Sequence, residues 1–470
     1  MKSKLLLLLV TIVLLCSGQA GAQQWTPVGS AAFSAGRVIQ TSMAIGKNDT
    51  PYIAYLDQAN NDAVSVMKYN GSSWVYVGSP GFSHTVLNWS SGQGAVISLI
   101  LKVDTSGKPY VFFMDSVSPP FSLMTYNGSN WVYIDSAGIV TTQGQPANIS
   151  MDLDQGGTPY IAFVDYNHSY AVSVMKHTAA GWAFVGPQKF TPGSAAFISL
   201  AIDHTGTPWV AFGDGNVRGD ISVQKFNGSN WIIQGAEGFS YGQYGVYCTS
   251  LTFNNNNTAY VAYEDDATGD KITVKNFTSG TWSAVGDTAF SAGRAFYINL
   301  KVTSGGVPVV AFEDQNSSSK ATVKYFNGAT WADLGTPDFS GGQADWVSLA
   351  VSSRGLPYVG FEDAVNGHTA SVYSFGVPAS INEVNEADQI KVYPNPNNGN
   401  FSIKISDKDA SEMSLALYDI VGQQVWQSAV AAVNPDYNTS IHANDLPKGT
   451  YFLRVKSSNG ISTQKIEIMK

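Results

Sequence analysis

Cysteine is nearly absent: only Cys16 and Cys248 occur in 470 residues. Once the leader described below is removed Cys248 stands alone, which excludes an intrachain disulfide and leaves stability to a large core. Charge is scarce too, at 13% of residues, with 35 acidic against 26 basic side chains and a net charge of −9. No Lys/Arg cluster occurs, so a nucleic-acid partner is excluded for want of phosphate neutralisation. An anionic membrane surface is disfavoured on the same ground. The six histidines lack metal-ligand spacing, and no G-x-S-x-G elbow appears. After residue 16 no apolar run is long enough to span a bilayer, so the mature chain is expected to be soluble and without a transmembrane segment.

What is present begins with the leader. Lys2 and Lys4 precede "LLLLLVTIVLLC", and Ala20, Gly21 and Ala22 follow in the A-x-A pattern of a signal-peptidase site. Residues 1–22 therefore read as an export signal. Cys16 raises a lipoprotein alternative, but Leu15 stands where such signals need a small residue.

The remaining chain repeats itself. "GTPYIAFVD", ending at Asp165, has close copies ending at Asp57, Asp115, Asp214, Asp265, Asp314 and Asp363, at spacings of 58, 50, 49, 51, 49 and 49 residues. A period near 50 is the mark of a propeller or solenoid. The fourth period holds four strand-like runs, "FISLAI", "TPWVAF", "ISVQKF" and "WIIQG", with turns at Gly206 and Asn227-Gly228. Four antiparallel strands per repeat make a propeller blade. Trp25, Trp74, Trp131, Trp182, Trp231, Trp282 and Trp331 each open a fourth strand, yet Trp25 precedes any first strand and the last unit lacks a fourth. The mismatch predicts that "WTPVG" (25–29) completes the last blade, closing an all-β, seven-bladed ring over residues 23–377.

Rows present in every blade read as architecture. The tryptophans fill the outer wedge between blades. Ser42, Ser98, Ser150, Ser199, Ser250 and Ser348, with Asn299 as the exception, line the channel and bond water or backbone. Each Asp at a strand end accepts backbone N–H bonds, as an Asx-turn does; seven identical uses suit a turn better than a single active site.

Departures from the repeat point to function. Two residues ahead of the Ser row stand Gln40, Val96, Asn148, Phe197, Cys248, Tyr297 and Trp346, with Tyr247, Phe296 and Asp345 beside them. Glu264, Glu313 and Glu362 precede the row Asp only in the last three blades, and Arg37 and Arg294 lie in matching "FSAGR" loops. One sector of the mouth thus gathers aromatics, carboxylates and amides, a mixture suited to sugar rings. Trp89, on a longer loop, is expected to overhang it. Local packing of loop residues is the structural alternative. Glu313 and Glu362 are the candidates for a glycosidase-like carboxylate pair. No cofactor is expected; calcium finds its nearest ligand clusters in "DGNVRGD" (214–220) and "DDATGD" (265–270), neither an EF-hand.

A polar linker, 378–389, leads to strand-like runs within 390–470 that read as a small β-sandwich. "YPNPNNGNF", "LYDIVGQQV", "LPKGTYFLRV" and the terminal Lys470 resemble, in that order, the type A C-terminal sorting domain of type IX secretion cargo in Bacteroidetes. Pro394, Asn395, Pro396, Gly399, Gly422, Gly449, Tyr451 and Lys470 match that family's recurring positions. The resemblance implies delivery to the periplasm by the signal peptide, then passage through the outer membrane by the type IX machinery. It also implies removal of the tail, leaving a passenger released or held at the outer-membrane surface. The propeller repeat itself resembles a bacterial "SLAID…GTPYVAF.D" repeat that supplies no activity. It is only loosely similar to the Asp-box of sialidases, since "IDHTGTPW" has one residue too many.

The expected function is a secreted module that binds an extracellular glycan or protein. A polysaccharide hydrolase and a display scaffold are the alternatives.

Overall fold

The structure, a computed structural model, describes residues 24–84, 99–115, 121–134, 147–165, 169–240, 245–376, 390–405, 413–419, 423–430, 437–457 and 460–469. The expected leader and linker lie outside the described residues, as do Trp89, Val96, Ser98, Gly422, Lys470 and the side chain of Tyr247.

Seven four-stranded antiparallel sheets follow one another from Gln24 to Gly376. Blade four shows the plan, with Ala195–Ile202 innermost, then Pro208–Asp214, Asp220–Phe226 and Trp231–Ile233. Its last hairpin turns at Gly228, whose φ of +97° is open to glycine at little cost. Six of the seven second strands are buried at every residue. Lying between two neighbouring blades, such a strand has no wet face, which explains its continuous apolar run.

The ring closes as the Trp count predicts. Gln24–Pro27 pairs antiparallel with Thr369–Gly376, Gln24 opposite Gly376 and Pro27 opposite Tyr373. Blade seven then joins blade one through Thr41 Oγ1, which donates to the Trp346 carbonyl at 2.6 Å.

Two rows stitch blade to blade. The indole Nε1 of Trp25, Trp74, Trp131, Trp231, Trp282 and Trp331 donates to a carbonyl of the preceding blade's outer strand or its end, at 2.6–2.9 Å. Each of these rings stacks on a Phe of the incoming connection, with centroids 4.2–4.9 Å apart. Near the axis, the hydroxyls of Ser42, Ser150, Ser199, Ser250 and Ser348 accept the backbone N–H of Leu101, Leu200, Leu251, Leu300 and Met43 in the next blade, at 2.8–3.0 Å. Asn299 replaces that bond with one from its amide to the Val347 carbonyl, 2.9 Å. Blade two corrects the expected row. Ile100 sits opposite Phe112 as Ser150 sits opposite Ala162, so Ile100, rather than Ser98, holds the row position.

The tail forms two facing sheets, one of three strands and one of four. Phe401, Ile403, Leu417, Ile441, Leu453 and Ile466 share its core. Residues 390–405 hold two strands, interrupted where the Pro394-Asn395-Pro396 turn lets the Asn395 side chain accept from Glu467 N and donate to Lys465 O, both 2.8 Å. Gly399 has φ +97°, and a Cβ there would meet the Ala443 carbonyl at 3.0 Å. Gly449 opens the strand that carries Tyr451, whose hydroxyl donates to Pro447 O at 2.8 Å. Tyr437–His442 is the third strand of the smaller sheet, paired with Asn400–Ile405.

Candidate functional site

The inner strands surround a central channel, and a backbone irregularity shapes its mouth. Just before the Ser row the pairing register shifts in six blades. A bulge of this kind re-aims a side chain. It places Gln40, Asn148, Phe197, Tyr297 and Trp346 in left-handed backbone, with φ of 51–57°. For bulky residues this is an outlier that the surroundings must hold. Thr41 holds the Trp346 carbonyl, Thr249 that of Phe197, and Asn299 Nδ2 that of Tyr297 at 2.9 Å.

The row is not used alike all round. Gln40 is 2% exposed, and the Asn148 side chain accepts from Phe197 N at 3.1 Å, so both serve the wall. Tyr297 and Trp346 remain partly exposed, their ring centroids 4.9 Å apart and tilted by 37°. Phe296 lies 6.4 Å from Tyr297, and the Arg294 guanidinium sits 4.5 Å from the Phe296 centroid. With Phe197, Cys248 and Glu264 these groups line a cavity of about 820 Å³. Burial pushes the Cys248 thiol up to about 12, which makes it a poor nucleophile.

The three row glutamates are 1–4% exposed. Arg294 clasps Glu264 of the preceding blade at 2.9 Å, with Asp270 3.6 Å away. Arg37, in the matching loop, reaches Glu362 at 3.4 Å, and His368 Nδ1 lies 2.7 Å from the same oxygen. The connection into blade seven carries Gln343 instead. Its amide donates to Asp345 at 2.9 and 3.1 Å, and among the described residues no cation pairs with Glu313. Glu313, Asp345 and Glu362 do not line the cavity.

Burial raises Glu313 from 4.5 to about 7, a Ser319 hydroxyl bond opposing and Asp345 adding. Because the folded-state value lies above the unfolded one, this group's contribution to stability is lost as pH rises from about 4.5 through 7. Glu313→Gln is expected to raise the unfolding midpoint at pH 8 and leave it unchanged at pH 4. Equal midpoints for variant and parent at both pH values would refute the assignment.

The row aspartates are all buried. Asp57, Asp214, Asp265 and Asp314 accept the backbone N–H two residues on, at 3.0–3.2 Å. Asp363 instead takes Asn366 Nδ2 and Ser371 Oγ, both at 2.8 Å, and Asp115 takes the Ser122 hydroxyl at 3.2 Å. Asp165 is 5% exposed. In the two loops considered for calcium, Asp214 and Asp265 cap their turns, Asp220 accepts from Ser240 at 2.9 Å, and Asp270 faces Arg294. Among the described residues, three donor atoms come within 4.8 Å only at Asp345, Glu362 and His368. That triple has the donors for a cation, but Arg37 already brings positive charge to Glu362.

Comparison with curated proteins finds no match. Among solved structures the chain is similar to a protein of unknown function from Dyadobacter fermentans, at 13% identity and TM-score 0.43, over 75% of this chain and 99% of that one. It is also similar to an ulvan lyase of polysaccharide lyase family 25, at 12% identity and TM-score 0.48, over 74% and 96%. A third likeness is to the Aleuria aurantia lectin in complex with a fucosyl-GlcNAc disaccharide, at 13% identity and TM-score 0.39, over 66% and 97%. No helix of the described residues is long and apolar enough to cross a membrane. Residues 391–469 match the family described as a secretion system C-terminal sorting domain. The chain is cargo of the type IX machinery, and its place is outside the cell, secreted or attached to the outer-membrane surface.

Proposed function

We propose that the propeller is a non-catalytic carbohydrate-binding module, its site the sector of the channel mouth built by blades five to seven. The observation that carries this reading is the Tyr297–Trp346 pair, two partly exposed rings held by bulges on neighbouring blades and facing one cavity. Sugar rings stack their C–H faces on such aromatics, while their hydroxyls bond charged groups at the edge. The Arg294–Glu264 clasp supplies a donor and an acceptor there. The burial of Glu313 and Glu362 away from the cavity favours binding over hydrolysis. In this reading residues 1–22 are the leader, 23–377 a propeller of the "SLAID…GTPYVAF.D" repeat type, 378–389 the linker and 390–470 the sorting tail.

The test is a glycan array probed with the full chain lacking its leader, with the bound sugars then checked for cleavage. Saturable binding to a narrow sugar class without products is the expected result. A blank from folded protein would overturn the reading, and released products would replace it with a hydrolase.

A further inference from the structure

Two residues deeper than the Ser row, the inner strands carry a second layer. Lys102, Asp152 and Lys301 stand at equivalent register positions, each paired with the residue five places before its blade's row Asp. The remaining places in the layer are small, three Ala and Thr252. Lys102 Nζ bonds Asp152 Oδ1 at 2.9 Å, and Ile202 N donates to the other carboxylate oxygen at 2.9 Å. That pair is neutral and satisfied. Lys301 lines the channel cavity and makes no hydrogen bond or ion pair among the described residues. The layer therefore holds one positive charge without a partner, surrounded by small side chains.

The layer above it is poised to donate. Each of the five row serines already accepts a backbone N–H from the next blade. Their hydroxyl hydrogens have no acceptor among the described residues, and all five serines line the same cavity. A hydroxyl that has accepted retains one donor. Five such donors stand over the Lys301 ammonium, the Asp152 carboxylate of that layer being already held by Lys102 and Ile202 N, and charge-assisted bonds to an anion are the strong ones in a partly dry site.

We propose that the channel holds an oxyanion, a sulfate or carboxylate group, between the ring of serine hydroxyls and the Lys301 ammonium. Burial pushes Lys301 down to about 8, Lys102 adding and Asp152 opposing, as an uncompensated ammonium requires. The site shares its cavity with the proposed sugar site but does not rest on that reading, because an inorganic anion tests it without any sugar.

The experiment is calorimetric titration of the full chain lacking its leader with sodium sulfate and, separately, sodium glucuronate, against a sodium chloride background. Saturable binding is expected for the parent, about tenfold weaker or lost in Lys301→Met, and retained in Lys301→Arg. Since Lys301 makes no bond, the Met variant is expected to melt as the parent does; Lys301→Gln serves if it does not. Sulfate binding alone identifies a free inorganic oxyanion, whereas glucuronate binding as tight or tighter identifies an acidic sugar. Trp346→Ala is expected to leave sulfate binding intact even if it loses a sugar. No saturable heat for either anion, or unchanged affinity in Lys301→Met, overturns the proposal.

Discussion

Trp25→Ala is expected to cost about 3–5 kcal/mol and to open the ring at its seam. Trp25 is 8% exposed, stacks on Phe339 at 4.2 Å and donates to Leu334 O at 2.7 Å. Its strand is held by four residue pairs to Thr369–Gly376. Trp231 makes the same contacts in mid-ring, stacking on Phe190 at 4.3 Å and bonding Val185 O at 2.9 Å, but its strand follows its own blade in the chain. Both variants are expected to lose stability in denaturant titration. Only Trp25→Ala is expected to broaden the transition and admit proteolysis near the N-terminus, because a freed seam exposes two blade edges. Parent-like unfolding and protease resistance for Trp25→Ala would show that the seam is not what completes the fold.

Trp346→Ala is expected to weaken binding of the sugar selected on the array by about 2 kcal/mol, roughly thirtyfold in Kd. The ring is partly exposed and its backbone carbonyl, rather than its side chain, makes the bond to Thr41. The fold is therefore expected to survive, as near-ultraviolet circular dichroism and a thermal melt will check. Tyr297→Ala, beside it, is expected to act in the same direction. Parent-like affinity in both would remove the mouth site. Trp346→Gly adds a contrast, since φ of 55° is strained for a bulky residue and free for glycine. That variant is expected to lose the ligand while keeping the parent's melting temperature.

The architecture was legible because it is written as spacing. The distances between row aspartates counted the blades, and the unmatched Trp25 announced the seam. The sorting tail was legible through its ordered landmarks. Individual site residues were harder, for a physical reason. Gln40 and Trp346 occupy equivalent bulges and line the same cavity, yet Gln40 is 2% exposed and Trp346 partly exposed, and that difference depends on neighbours across the blade boundary. The use of Arg37 and Arg294 to clasp glutamates of the preceding blade depends on the same boundary. Lys102, Asp152 and Lys301 carry no shared signal in the linear chain, since only the closing of the ring brings such distant residues to one height. Blade two departs from the serine row because Ile100 breaks the pattern of residue type while keeping the register set by Asp115.

The pairing of Gln24 with Gly376 also sets an order of events. The first strand of the propeller has no partner until the final blade exists, and the sorting tail comes after that blade in the chain. A ribosome therefore writes the keystone first, the arch next and the address last. Any chain long enough to carry its address has already received every blade needed to seal itself, so an unfinished propeller has no ticket out of the cell.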